Sequence, residues 1–294
     1  MSNTNDSIID FHTHYKDITH PDVFTKYHIN HILSIPFDLS RLNVKWDDIL
    51  PIVGMNLKPK WYIKQLLNAL PELNKEWYQS FKGHESFVTL VPWINLGMNI
   101  DAVKYEDWFT TSKIVKLIPV FDNITHTGDG EAVAFHHKHP TDRIFDAKNA
   151  YLPALHRFVG KLPQKVIMIH TGWGSSPVYY NNLIAHYPDK IFVLAHLKED
   201  DDSDNLERQV IMKKYENVYL ELSYLSSPKR LKQYIELGFG DRILFGSDYR
   251  TDADECTLQW MLDAVKLAPM SEDARRKILY ENAHKLLKKI GVNL

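Results

Sequence analysis

His12 and His14 stand two residues apart at the end of an apolar run, IIDFHTH over residues 8–14. In extended backbone, alternate side chains share a face. The two imidazoles therefore point together with Asp10 beneath them, while Phe11 and Thr13 point away. Two neutral imidazoles converging at a strand end can chelate a divalent cation such as zinc. Alone, H-x-H describes a pair of surface histidines equally well. Three later apolar runs, however, also end in metal-binding residue types: KVIMIH at His170, KIFVLAH at His196 and RILFGSD at Asp248. Singly, each fits a core histidine or a capping aspartate. Together they offer imidazole nitrogens and a carboxylate oxygen, a donor set that suits zinc or a related divalent ion and leaves a position for water.

The elements that would carry these residues follow from the hydrophobic pattern. Apolar, β-rich runs recur at residues 8–11, 29–37, 86–94, 114–121, 165–170, 191–196, 218–224 and 242–248. Amphipathic segments lie between or after the later ones, at 149–159, 178–187, 205–215, 228–237, 255–267 and 272–290. Strands that read as continuous apolar runs are buried on both faces and belong to parallel sheets covered by helices. Eight of them alternating with helices is the count for an α/β (β/α)₈ barrel, whose active sites sit where the strands end. A doubly wound open sheet is the runner-up, but no G-x-G-x-x-G follows the first strand. Long connections follow the second and fourth strands. The first, 38–85, carries Trp46, Trp61, Tyr62, Trp77 and Tyr78, and predicts a long helix over 61–81 broken near Pro71. The second, 122–147, is polar and holds His126, His136, His137 and His139, which read as exposed loop histidines. Both belong at the barrel mouth, where extra loops act as lids.

The 294-residue chain is long enough to bury one large core, and no repeat or linker divides it, so residues 1–294 are expected to form a single barrel domain. A hydrophobic fraction of 44% and a charged fraction of 24% are those of an ordinary globular protein. A formal net charge of −2 gives no electrostatic reason for a nucleic-acid or membrane partner. The single cysteine, Cys256, cannot form an internal disulfide, and the polar N-terminus has no apolar signal core. The expectation is a cytoplasmic protein, with self-association into a homodimer compatible with it.

In order, FHTH, KLIP, IHTG, AHL, FGSDY and the C-terminal ILYENAHKLL resemble the amidohydrolase superfamily, in its amidohydrolase-2 branch of aminocarboxymuconate-semialdehyde-decarboxylase-like enzymes. The resemblance spans nearly the whole chain. It implies a distorted (β/α)₈ barrel with a metal held by His12, His14, His170 and Asp248. It also implies that His196 is a catalytic or substrate-orienting imidazole, or a ligand of a second metal. Zinc is the expected ion, one per chain, or two if Lys116 on the fourth strand is carboxylated and bridging. The branch's usual KLHP is KLIP here, and the proline usual after SDY is Arg250.

A metal lowers the pKa of its water and polarises a carbonyl. Asp248 would take the water's proton, and His196 would steady the developing charge. Lys116, costly in an apolar strand unless paired, is read as binding a substrate anion or an active-site carboxylate. An ion pair with Glu221 or Asp10 is the structural alternative. Arg250, with Trp173 and Tyr249 nearby, points to a small anionic substrate, aromatic or a lactone. Lys198, followed by EDDD, reads as a solvated charge. The expected activity is hydrolysis of a C–O or C–N bond in a small carboxylated substrate. The alternatives are non-oxidative decarboxylation by the same ligands and a barrel that only binds ligands.

Overall fold

The computed structural model of the chain describes residues 7–18, 21–37, 60–95, 98–118, 153–171, 177–197, 202–225, 227–250 and 255–294. Ten strands appear among them: β1 (Ile8–His14), β2 (Ile29–Ser34), β3 (Val88–Leu90), β4 (Trp93–Asn95), β5 (Ile114–Ile118), β6 (Val166–His170), β7 (Ile191–Ala195), β8 (Val218–Glu221), β9 (Ile243–Leu244) and β10 (Tyr249–Arg250). All pairings are parallel, in two sheets of order β10-β1-β2-β3 and β4-β5-β6-β7-β8-β9.

Nine of the ten strands lie on the eight expected runs, the third of which is interrupted, and β10 continues the eighth past its expected end at Asp248. β3 and β4 are one run broken at Val91–Pro92, because a proline nitrogen cannot donate to a ladder. Across the break, Val91 N–H reaches Ser34 O on one side, and Pro92 O accepts Lys116 N–H on the other, each at 2.9 Å. β9 and β10 are likewise one run, broken over 245–248. Here Phe11 N–H reaches Phe245 O at 2.9 Å and Asp248 N–H reaches His12 O at 2.7 Å. Each broken run thus bonds to the strand on either side of it, and the eighth run returns to the first. The chain has the distorted (β/α)₈ barrel fold, with its irregularities in the third and eighth runs.

The strands are apolar and almost wholly buried: every residue of β1, β6 and β7 is inaccessible or nearly so. Helices cover them through one apolar stripe each. The helix Lys60–Phe81 shows why. Leu70, Leu73, Asn74, Trp77 and Phe81 recur at helical spacing and are all buried. The expected break at Pro71 does not occur; the helix runs through it, since a missing N–H removes one rung and the buried stripe holds both sides. At the other end of the chain, Glu272–Arg276 and Asn282–Lys289 are joined by a wider π turn, Lys277–Glu281. Its Ile278 carbonyl accepts Phe245 N–H at 3.1 Å, and the Asn282 amide donates to Gly240 O and Ile243 O, each at 2.8 Å. The C-terminal helix therefore secures the broken eighth run from behind. The second long connection, 122–147, lies outside the described residues. Among the described residues, no helix is long and apolar enough to cross a membrane.

His31, buried on β2, ties this strand to β3 through Thr89 Oγ1 at 2.8 Å and to Ser86 O at 3.3 Å. Burial lowers its pKa from 6.5 to about 4. An unfolded chain takes up that proton near pH 6.5 while the folded chain resists until about pH 4. Stability is therefore full above the upper value and falls through the window as acid is added. The contribution is on the order of 2–3 kcal/mol. Denaturant titrations at both ends of the window should show His31→Gln losing that much less stability on acidification than the parent; equal losses would refute the assignment.

Candidate metal centre

The C-terminal ends of β1, β5, β6, β7, β8 and the eighth run converge on one buried cluster. His12 and His14 project from β1 to the same side, as strand alternation requires. His12 Nδ1–H donates to Glu221 Oε2 at 2.9 Å, and His14 Nδ1–H to the Ile35 carbonyl at 2.8 Å. Because the acceptors are a carboxylate and a carbonyl, these bonds fix the tautomers and leave a lone pair on each Nε2. Both Nε2 atoms face Asp248 Oδ1, at 3.0 Å from His12 and 3.1 Å from His14. Oδ1 is buried, and neither contact has the alignment of a hydrogen bond. The three atoms converge on one point, and His12, His14 and Asp248 could hold a divalent metal.

The charges are arranged to suit one. Burial pushes His14 down to about 4, which keeps it neutral. Burial would raise Asp248, but His12 and His14 outweigh it and hold the carboxyl well below its usual range. Burial and the Lys116 charge press on His12 from one side, Glu221 and Asp248 from the other, and the carboxylates prevail, raising its pKa. Asp10, beneath the pair, accepts from His12 N–H at 3.2 Å and from Ser247 Oγ at 2.6 Å. Burial lifts it to about 7 against those bonds.

Lys116 is 1% exposed, so its partner matters. The partner is neither Glu221 nor Asp10: Nζ donates to His12 Nε2 at 2.7 Å and sits 5.3 Å from the centre of the Trp93 ring. Burial lowers its pKa to about 8, with Asp248 and Glu221 pulling the other way. His170 ends β6 but is not drawn into the His12–His14–Asp248 group; its Nδ1 lies 2.9 Å from His196 Nε2. The His196 ring stands between, 4.4 Å from the His170 ring and 4.9 Å from that of His12. His196 Nδ1 is 2.7 Å from Ser223 Oγ. Both nitrogens of the expected catalytic imidazole thus face protein groups, and burial followed by the His170 charge holds its pKa well below the ordinary value. Arg250, on β10, lies with its guanidinium 6.0 Å from the Phe37 ring. Trp173 and Lys198 lie outside the described residues, as do the loop histidines 136, 137 and 139.

Sequence reasoning gave Glu221 no role in the site. Its Oε2 accepts from His12 Nδ1, Ser223 Oγ at 2.8 Å and His196 N–H at 3.2 Å, and Oε1 accepts Ser223 N–H at 2.5 Å. The visible signal was a carboxylate inside the apolar run VYLEL. Gly246 makes room for it, because any Cβ there would strike the Glu221 carboxylate. Tyr224 was missed as well; its ring lies 5.2 Å from that of His196, and burial followed by the Asp248 charge holds its hydroxyl well above the usual range. Among the described residues, three of the four non-glycine residues in the left-handed backbone region lie here: His196 (φ 70°), Tyr224 (φ 64°) and Asp248 (φ 55°). Such residues cost about 1–3 kcal/mol each and persist where surrounding bonds over-determine them. The Asp248 N–H bond to His12 O and the His196 N–H bond to Glu221 are those constraints.

The family model described as Amidohydrolase matches residues 122–289. No curated protein matches the chain in sequence. Among solved structures, the chain is similar to 2,6-dihydroxybenzoate decarboxylase from Rhizobium (12% identity, 97% of this chain and 100% of that one, TM-score 0.62). It is similar to dihydroorotase from Campylobacter jejuni (17%, 96% and 83%, TM-score 0.51). A third is 5-carboxyvanillate decarboxylase from Novosphingobium aromaticivorans, complexed with manganese (12%, 92% and 79%, TM-score 0.51). Such identities speak to the fold alone, and they agree on the barrel. With more than half of its length matched by the family model, the chain belongs to the amidohydrolase family of enzymes, in its amidohydrolase-2 branch.

Proposed function

We propose that the protein is a metal-dependent hydrolase that cleaves a C–O or C–N bond in a small carboxylated substrate. The observation that carries this reading is the meeting of two tautomer-fixed imidazole lone pairs with Asp248 Oδ1. His12, His14 and Asp248 would hold the ion, with His170 at its edge as the fourth donor implied by the family. Zinc suits the nitrogen-rich set; manganese, which the 5-carboxyvanillate decarboxylase holds, is the alternative. When bound, such an ion lowers the pKa of a water and polarises a carbonyl.

The chain's own residues do the rest. Asp248, kept ionised, takes a proton from the attacking water and delivers it to the departing oxygen or nitrogen as the C–O or C–N bond breaks. Lys116 donates to the lone pair on His12 that a metal would take. With an ion held there, its ammonium would serve the anionic end of a substrate, with Arg250 as a second cation. His196 connects His170 to Ser223 and through it to Glu221, and so orients the histidine cluster.

Decarboxylation is the second reading. It is favoured by the aromatic wall beside the cluster, where Phe37 and Trp93 lie 5.2 and 5.8 Å from the His14 ring. Product analysis on a panel of lactones, amides and hydroxylated aromatic acids separates the two. Ring opening or amide cleavage supports hydrolysis, and released carbon dioxide supports the alternative.

Three further outcomes follow. His14→Ala and Asp248→Ala should each remove most bound metal, measured by elemental analysis; full occupancy in both would contradict the donor set. Asp248→Asn should retain some metal and lose at least ~10²-fold in turnover, the scale of a missing general base. Glu221→Gln and Gly246→Ala, neither at a ligand, should weaken metal affinity by about 10–100-fold, the usual scale for partners that orient a ligating histidine. Unchanged affinity in both would remove Glu221 from the account.

A further inference from the structure

Arg208 is a cation sealed in the interior. It stands on the helix Asp202–Lys214 and is 0% exposed. An arginine is almost never buried so completely unless partners hold its guanidinium. Tyr234 anchors the same helix one turn earlier, its hydroxyl donating to Asn205 Oδ1 at 2.7 Å. Arg208 Nη2 donates to Thr171 Oγ1 at 3.1 Å, and Thr171 Oγ1 donates in turn to the Ala195 carbonyl at 2.5 Å. A hydroxyl carries one hydrogen, and Arg208, which can only donate, keeps that hydrogen turned toward Ala195.

These bonds fall beside two histidines of the cluster. Thr171 directly follows His170, and Ala195 directly precedes His196, with His170 and Ala195 in register across β6 and β7. The carbonyl that Thr171 holds belongs to the Ala195–His196 peptide group. The N–H of that same group donates to Glu221 Oε2 at 3.2 Å. One planar unit is therefore gripped at both ends. It leads into His196 at φ 70°, backbone that residues other than glycine seldom adopt. The ring beyond it is directed as well. Ser223 Oγ donates to Glu221 Oε2 and so accepts from His196 Nδ1–H at 2.7 Å. In the neutral His196 ring Nε2 is then an acceptor, and it takes His170 Nδ1–H at 2.9 Å. That bond puts the His170 lone pair on Nε2. The placing of the His196 peptide thus reaches the tautomer of His170.

We propose that Thr171 and Arg208 are positioning residues of the metal centre: they lock the Ala195–His196 peptide against Glu221, and through His196 they fix the tautomer and direction of His170. This rests on the metal-dependent reading above, in which His170 is the fourth donor. Neither residue touches the donor set of His12, His14 and Asp248, so their effect on it passes through His196.

The test uses the full chain and measures zinc affinity by chelator competition, together with the imidazole nitrogen NMR spectrum of the metal-free protein. Thr171→Val keeps the shape and removes the hydroxyl, Thr171→Ser keeps the hydroxyl, and Arg208→Met removes the cation. Thr171→Val and Arg208→Met should weaken zinc binding by about 10–100-fold, the scale for partners that orient a ligating histidine, with Thr171→Ser close to the parent. In the parent spectrum His196, identified by its loss in His196→Asn, should be a single Nδ1–H tautomer. In Thr171→Val its two nitrogens should shift toward averaged values. Thr171→Val added to His196→Asn should weaken zinc no further, because the effect passes through His196. The proposal is overturned if folded Thr171→Val keeps the parent's His196 tautomer or zinc affinity, or if the double variant is additive. Should Arg208→Met fail to fold, the contrast between Thr171→Val and Thr171→Ser decides. A parent that takes up no zinc would overturn the metal reading, and the clamp would then stand or fall on the His196 tautomer. Zinc uptake with a tautomer indifferent to Thr171→Val would do the reverse.

Discussion

Two imidazole lone pairs and a carboxylate oxygen directed at one buried point repel one another unless a positive charge lies among them. This constraint organises the molecule. Glu221 and the Ile35 carbonyl fix the imidazole tautomers from behind, so the repulsion cannot be relieved by turning a ring. The Lys116 ammonium lies against one of the lone pairs, 2.7 Å from His12 Nε2. A cation is therefore already part of the arrangement, and a divalent ion would answer the same demand more completely.

Holding such a group together costs backbone and packing freedom elsewhere. The eighth run gives up its ladder over 245–248 so that Asp248 can turn back at φ 55°, and the C-terminal helix takes over its support through Ile278 and Asn282. Gly246 leaves space for the Glu221 carboxylate. The third run breaks at Pro92 and is re-anchored by Asn74, which fixes Trp93 beside His14. The departures from regular barrel geometry thus coincide with the residues to which chemistry is assigned, where local rules of sequence and structure are expected to conflict with function.

The barrel was legible because eight apolar runs and the helices between them carry strong periodic signals, and because strand alternation alone orients His12 with His14. Asp248 and His196 were legible as polar residues ending such runs. Their left-handed backbone was not, since any residue at a strand end reads as extended. Glu221 and Lys116 stood out as charges in buried strands, but their partners depend on register between strands far apart in the chain. Lys116 accordingly meets His12 and not the carboxylates first considered. The wider separation of His170 comes from the His196 ring between it and His12, a packing arrangement with no counterpart in spacing. Pro71 misled for a related reason: a proline marks a lost hydrogen bond, whereas the buried stripe that outweighs it emerges only when the helix is packed.

The central claim is that His12, His14 and Asp248 close on one divalent ion. Anomalous diffraction at the zinc edge from zinc-loaded crystals tests it most directly. The account predicts one strong peak per chain at about 2.0–2.2 Å from His12 Nε2, His14 Nε2 and Asp248 Oδ1, with the Lys116 ammonium displaced from His12. A peak elsewhere in the barrel, or none while Lys116 still bonds to His12, would contradict it.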